Sequence, residues 1–313
     1  SLLSPAGPRA RLSILIYHRV LRRPDPLFPD EVDARLFERQ MKSLAQSFNV
    51  LRLSDAAQRL RDGTLPPRSA CITFDDGYAD NAEVALPILQ KYSLPCTFFV
   101  ATGFLDGGRM WNDTVIEAVR NTRKTALQLE HLGFDSYAIG NIEERRVVIG
   151  KLLNNLKYLP LAERLEKVAK VAESADCKVP DDLMLSSQQV RTLHDAGMEI
   201  GAHTVNHPIL TRISREAAEA EIVQSKQTLE ALLQAPVTLF AYPNGRPRQD
   251  YAAEHVDIVR ELGFSAAVST AWGAATAGSD GYQLPRFTPW DKSTMRFKLR
   301  LLHNLRRGAA ETV

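Results

Sequence analysis

Short apolar runs alternate with amphipathic segments along most of the chain. The apolar runs predict strands over residues 12–17, 69–74, 96–101, 198–202, 237–242, 265–269 and 282–287. Periodically spaced apolar residues between them predict helices over 32–44, 55–61, 81–92, 213–233 and 251–262, with Ser54 and Ser187 as N-caps of the second helix and of one ending at Gly197. Strands that are apolar throughout and alternate with helices indicate an α/β protein whose mostly parallel sheet is buried on both faces.

The pattern changes between about residues 105 and 182, where charge-rich, helix-like segments replace the alternation. We interpret this stretch as a helical insertion in a single 313-residue domain, whose strands and helices otherwise cover about 10–104 and 183–290. Residues 292–307 then carry six basic side chains and no acidic one, interleaved with apolar residues. This composition predicts a basic C-terminal helix, which either covers the sheet or lies on an anionic membrane.

Polar motifs lie at the carboxyl ends of four of the predicted strands. They are YHRV at 17–20, TFDDG at 73–77, GAHTVNH at 201–207 and FAYPNG at 240–245. The carboxyl ends of the strands in a parallel α/β barrel form the face on which active sites are built. We therefore expect the four motifs to converge on one site.

The residue types in two of these motifs predict a metal site. Asp75 and Asp76 end a buried strand, where adjacent carboxylates are costly to keep ionised unless a cation holds them. His203 and His207 add two imidazoles four residues apart, so one aspartate and two histidines form a three-ligand divalent-metal site with open positions. The other aspartate is then free to act as a base. A sharp turn at Gly77 is required, because neighbouring residues of a strand point to opposite faces.

Composition argues against a nucleic-acid partner but does not decide the cellular location. A formal net charge of +2 gives no indication of nucleic-acid binding. No apolar run is long enough for a transmembrane helix, and the first residues lack the order of a signal peptide. We therefore leave the location open between the cytoplasm and the periplasm or cell envelope.

TFDDG and HTVNH, in this order and at strand ends, resemble the motifs of the polysaccharide deacetylases of carbohydrate esterase family 4. The resemblance covers about residues 10–104 and 183–290, and it implies a distorted (β/α)7 barrel that removes N-acetyl groups from sugar residues. It also implies that Asp75 is the catalytic base and that Asp76, His203 and His207 bind a divalent metal. Zinc is the metal expected, and nickel, cobalt, iron or manganese also suit these ligands.

The sequence departs from the third family motif, Arg-x-Pro-Tyr, which falls on residues 241–244. Ala241 stands in place of the arginine and Asn244 in place of the tyrosine. The backbone N–H of Asn244 is still able to serve an oxyanion, and we predict that Arg286 replaces the missing arginine and pairs with Asp75. The YHRV segment resembles the subgroup that acts on poly-N-acetylglucosamine and related exopolysaccharides, which makes His18 a candidate general acid or substrate contact.

The sequence thus predicts a metal-dependent N-deacetylase whose partner is an N-acetylated poly- or oligosaccharide. Two alternatives stay open. The insertion and the basic tail motivate a deacetylase or deformylase of a small or lipid-linked sugar, and the altered third motif motivates an inactive, glycan-binding barrel. We expect no nucleic-acid partner, and the basic 292–307 segment suggests peripheral membrane contact.

Overall fold

A computed structural model describes residues 4–307 and 310–313, which fall into two compact units. The first unit draws on Ser1–Arg23, Val32–Asp106 and Leu185–Val313, and the second on Pro24–Glu31 and Gly107–Met184. None of the helices in the described ranges is both long and apolar enough to span a bilayer.

The strands and helices are numbered in chain order. The strands are β1 (Leu12–Tyr17), β2 (Asn49–Val50), β3 (Ser69–Phe74), β4 (Thr97–Val100), β5 (Ala126–Gln128), β6 (Ser136–Ala138), β7 (Glu199–Ala202), β8 (Leu239–Ala241), β9 (Ala266–Trp272) and β10 (Leu284–Arg286). The helices are α1 (Ala34–Ser47), α2 (Leu53–Arg61), α3 (Leu86–Lys91), α4 (Trp111–Asn121), α5 (Ile142–Leu156), α6 (Leu161–Ala175), α7 (Ser187–Asp195), α8 (Arg215–Leu233), α9 (Ala253–Glu261) and α10 (Thr294–Asn304).

The first unit is a parallel barrel surrounded by helices. Its strands follow the order β1-β3-β4-β7-β8-β9-β10, and every neighbouring pair is parallel. A parallel bridge between Leu15 and Phe287 links the end of β10 back to β1, so that the barrel is nearly closed. The predicted (β/α)7 barrel is therefore confirmed.

Alternate residues of each strand enter different apolar clusters. Ile14 packs in one cluster with Phe99 and Val268, which come from strands all around the barrel. Leu15, the next residue, joins the cluster that lies between the strands and the helices. Both faces of the strands are thus buried, which explains why the strands are apolar throughout.

Both predicted helix caps are wrong. Arg52 precedes the first residue of α2, and Ser54 lies inside its first turn, where it hydrogen-bonds to the Glu199 carboxylate. Glu199 also accepts the backbone N–H of Leu53 at 2.8 Å, so a residue of β7 caps this helix. In α7 the cap is Ser186, one residue earlier than predicted.

The second unit overlaps the predicted insertion, but it is not entirely helical. Helices α4, α5 and α6 accompany a two-stranded antiparallel sheet formed by β5 and β6. A separate apolar cluster, which includes Val115, Leu127, Tyr137, Leu152 and Val171, forms its core. The two strands have three residues each, too few for the period-two pattern to stand out.

Candidate active site

A tight turn at the end of β3 places the two aspartates. The Gly77 N–H donates to the Asp75 carbonyl at 3.0 Å, and the residue between them, Asp76, has a φ of +75°. Gly77 has a φ of +86°, so the turn occurs at Gly77 as predicted, and it begins one residue earlier, at Asp76. Both aspartates are buried, and the reversal lets neighbouring side chains serve one site.

Asp76, His203 and His207 form a cluster with the dimensions of a metal site. The Nε2 atoms of the two histidines each lie 3.4 Å from Asp76 Oδ1, and the three ligand atoms lie within 4.8 Å of one another. Two ligands about 2.1 Å from a tetrahedral ion are themselves separated by about 3.4 Å. The distances from Asp76 to the two histidines therefore match the spacing of ligands around a divalent ion.

The hydrogen-bonding state of these residues supports the same conclusion. Asp76 Oδ1 is buried, and no hydrogen bond reaches it from the described residues. His203 Nδ1 lies 2.7 Å from the Ala241 carbonyl and must donate to it, which leaves the lone pair of Nε2 directed at the cluster. An orphaned buried carboxylate oxygen beside two imidazole nitrogens is the donor set that a divalent cation satisfies.

Asp76 and His207 are in the ionisation states that suit ligation. Burial would lower the pKa of His203, but the neighbouring Asp76 and Asp75 carboxylates raise it above its ordinary value. Burial lowers the pKa of His207 to about 4, so this imidazole is neutral at physiological pH. Burial would raise the pKa of Asp76, but the neighbouring imidazoles of His203 and His207 hold it well below its ordinary value. A carboxylate and a neutral imidazole are the forms that bind metals.

The loop that carries the histidines is fixed by Glu221, which sequence reasoning missed. This α8 carboxylate accepts the backbone N–H groups of Val205 and Asn206 at 2.8 Å, and the Asn206 side chain at 2.7 Å. On the other side, the Gly103 N–H donates to the Val205 carbonyl at 2.9 Å. Glu221 lies 14 residues after His207, on a helix with no motif around it, so no local signal identified it.

Arg286 and Asp75 are brought together inside the barrel. The guanidinium is fully buried and meets the carboxylate with two parallel hydrogen bonds of 2.7 Å. It also donates to the Ser269 carbonyl at 2.9 Å and to Thr73 Oγ1 at 3.1 Å. Burial alone would raise the pKa of Asp75, but the Arg286 charge outweighs it and keeps the pKa below its usual range. Asp75 is therefore held ionised and in one orientation.

His18 and Asn244 lie at strand ends of the same barrel face, but with fewer contacts. The His18 side chain is exposed and makes no hydrogen bond to any residue that the structure describes. Burial and Arg286 have the largest effects on the pKa of Asp75, and His203 and His18 lower it further. Asn244 has a φ of +58° at the centre of a turn closed by Gly245 N–H and the Pro243 carbonyl. Within the described ranges its backbone N–H has no hydrogen-bond acceptor.

Comparisons with known proteins find similar sequences and structures among deacetylases. The Staphylococcus aureus poly-β-1,6-N-acetyl-D-glucosamine N-deacetylase is 40% identical over 68 residues, which is 21% of this chain and 23% of that enzyme. The Streptococcus pyogenes deacetylase PplD, solved with acetate, superposes with a TM-score of 0.64 at 22% identity, covering 94% of this chain and 98% of that one. IcaB from Ammonifex degensii superposes with a TM-score of 0.60 at 20% identity and covers the same shares.

The two structural likenesses, at these identities, establish the fold. The family itself follows from a sequence model described as "Polysaccharide deacetylase", which matches residues 62–267. This match spans more than half of the 313 residues and includes TFDDG, HTVNH and the altered third motif. The chain therefore belongs to the polysaccharide deacetylase family, as its motifs predicted.

Proposed function

We propose that this protein is a divalent-metal-dependent hydrolase that removes N-acetyl groups from the amino-sugar residues of a polysaccharide. The observation that carries the proposal is that a candidate metal site and an ionised carboxylate lie next to each other at the end of β3. Asp76, with His203 and His207, offers a metal site, and the adjacent Asp75 is held ionised by Arg286. The match to the Staphylococcus enzyme and the acetate bound to PplD support amino-sugar polymers as substrates and acetate as product.

Asp76, His203 and His207 would hold the metal. A divalent ion in such a site polarises an acetamide carbonyl and lowers the pKa of water. We propose zinc as the metal, although one carboxylate and two imidazoles also accept nickel, cobalt, iron or manganese.

Asp75 is the proposed base. Its carboxylate takes a proton from the water whose oxygen attacks the acetamide carbon. Arg286 positions the carboxylate and keeps it charged, and each carboxylate oxygen retains a lone pair beyond the one that Arg286 uses. The base is weakened by this pairing but is in its reactive protonation state throughout the physiological range.

Two further groups complete the proposed reaction. The backbone N–H of Asn244 stabilises the negative charge that develops on the carbonyl oxygen. His18 donates a proton to the sugar nitrogen as the carbon–nitrogen bond breaks, so that an amine and acetate leave. His18 suits this role because it directly follows β1, on the face of the barrel that carries the aspartates, and is open to solvent.

Acetate release from acetylated chito-oligosaccharides and from poly-β-1,6-N-acetylglucosamine tests the proposal. We expect release by the zinc-loaded protein, loss of release after chelation, and recovery when zinc is returned. Asp75→Asn should lower kcat by about 10²–10⁴-fold while metal content is unchanged. Asp76→Asn, one residue away, should instead lose the metal. Glycan binding without acetate release by metal-loaded protein would identify a binding barrel instead.

A further inference from the structure

Helix α10 is firmly docked on the barrel through one face. Phe297 and Leu301 are buried in the main apolar cluster, and the Asn304 side chain bonds to Ser13 of β1 at 3.3 Å. Arg11 then donates to the carbonyls of Leu305 and Arg307 at 2.8 Å each, which fixes the end of the helix. The helix therefore covers the barrel, which is one of the two alternatives that the sequence predicted. These contacts also fix which face of the helix points to solvent.

The opposite face of α10 carries apolar side chains that point to solvent. Met295, Leu299 and Leu302 are 74%, 58% and 43% exposed. Their spacing of four and three residues places them in one stripe along the helix. We call these three residues the outer stripe. An apolar stripe on the solvent side of a docked helix does not contribute to the barrel core and requires another explanation.

The charges beside the outer stripe have one sign. Exposed Lys298 flanks it on one side, and exposed Arg296 flanks it on the other. Within the described ranges, neither residue takes part in an ion pair, and neither does Arg306 after the helix. No acidic residue occurs between 292 and 307, and the nearest carboxylate before them, Asp291, is bound by Arg300. The charged side chains that the segment itself places beside the stripe are therefore cationic.

We propose that the outer stripe and its basic flanks bind the surface of an anionic membrane. An apolar stripe between rows of cationic side chains matches a bilayer interface, where acyl chains lie beneath anionic headgroups. Met295, Leu299 and Leu302 enter the interface, and Arg296, Lys298 and Arg306 contact lipid phosphates. The contact is peripheral and reversible, and it holds the barrel at the membrane surface.

The charge pattern favours lipid over a second copy of the chain. Pairing the stripe with itself across a two-fold axis would bring the same lysine and arginine side chains of both copies together, with no carboxylate in the segment to neutralise them. A lipid phosphate neutralises these charges instead of repelling them.

Flotation with vesicles tests the proposal, and it uses no substrate, so the result is independent of the proposed deacetylation. We expect the protein to bind vesicles of equal parts phosphatidylglycerol and phosphatidylcholine, and to bind pure phosphatidylcholine about ten-fold less or weaker still. Met295→Glu with Leu299→Glu should reduce binding to the anionic vesicles by about ten-fold or more. Arg296→Ser with Lys298→Ser should weaken binding and reduce its dependence on salt.

A matched control comes from Val147→Glu with Leu165→Glu, which adds the same charges at exposed apolar positions of α5 and α6. This variant should bind vesicles as the wild type does, and circular dichroism should show that all variants are folded. The proposal is overturned if the wild type does not bind anionic vesicles, or if Met295→Glu with Leu299→Glu binds them equally well. It is also overturned if sedimentation shows that the wild type is a dimer and that Met295→Glu with Leu299→Glu is a monomer, while vesicles bind neither of these two proteins.

Discussion

The Arg286 guanidinium holds both carboxylate oxygens of Asp75, although the two residues are separated by 211 positions in the sequence. In the barrel, β10 and β3 are both neighbours of β1, so the arginine reaches the aspartate through the barrel interior. Ala241, which occupies the position of the family's arginine, has no side chain able to do this. A cation for Asp75 is therefore present, but it comes from a different strand.

Replacing Arg286 should change both stability and pH dependence. In Arg286→Gln the buried Asp75 loses its cationic partner, and we expect the free energy of unfolding to fall by about 3–5 kcal/mol at neutral pH. Without the arginine, burial raises the pKa of Asp75. Because a base is inactive once protonated, the acid limb of the kcat/KM profile for acetate release should move to higher pH.

Arg286→Lys is the matched variant, because it keeps the charge and loses the planar fork. Its acid limb should move less than that of Arg286→Gln, although kcat should still fall. Full activity and an unchanged acid limb in a folded, metal-loaded Arg286→Gln protein would refute the positioning role.

Removing Glu221 should weaken metal binding without touching a ligand. In Glu221→Ala the N–H groups of Val205 and Asn206 lose their acceptor, and the loop between His203 and His207 is no longer fixed. Groups that orient ligands are commonly worth about 10–100-fold in metal affinity. We expect a loss of this size in competition with a chelator. Glu219→Ala, an exposed position on the same helix, should leave the affinity unchanged.

Gly201→Ala should destabilise the barrel. A Cβ at this position would overlap the Phe99 ring and approach the Leu239 carbonyl to 3.1 Å. Because both neighbours belong to buried strands, we expect a loss of about 1–3 kcal/mol or more in chemical denaturation.

The control for this substitution is Gly150→Ala in α5, where nothing lies within 4 Å of the new Cβ. Alanine there should stabilise its helix by about 0.5–1 kcal/mol. If Gly201→Ala were as stable as the wild type, the close packing of Phe99 against β7 would be wrong.

The Asp25–Arg120 pair of the second unit should make stability depend on pH. Burial alone would raise the pKa of Asp25, but hydrogen bonds from Arg120 and from the Leu27 N–H outweigh burial. The pKa is therefore lower than the ordinary 3.8. A carboxyl whose pKa is lower in the folded state stabilises the fold above its unfolded pKa. That stabilisation is lost as the pH falls through the folded pKa.

Asp25→Asn should therefore cost about 1 kcal/mol at neutral pH, a modest figure because Arg120 is partly exposed to water. The difference from the wild type should shrink at about pH 3, which urea denaturation at the two pH values would measure. Asp257→Asn, which breaks an exposed pair with Arg260, should have little effect at either pH. A constant difference at both pH values would show that the charge of Asp25 is not responsible.

The apolar strands predicted a mostly parallel sheet buried on both faces, and the resemblance to the deacetylase motifs implied that this sheet forms a barrel. Because residues at the carboxyl ends of parallel strands meet, the strand ends predicted that one aspartate joins His203 and His207, and the resemblance identified this aspartate as Asp76. The roles of Glu221 and of Glu199, which caps α2, were not predicted. Each residue contacts a segment distant in sequence and belongs to no motif. The short β5–β6 sheet was missed because three-residue strands show too little periodicity.

The hydrogen bond from His203 to the Ala241 carbonyl bears on how far position 241 tolerates substitution. The acceptor belongs to the main chain, so every amino acid at this position supplies it as long as β8 keeps its path. Because Ala241 is buried, the size of a new side chain limits substitution at this position, whereas the hydrogen bond to His203 does not. The loss of arginine from the third motif therefore leaves in place the acceptor that orients His203, and it removes no residue of the candidate metal site.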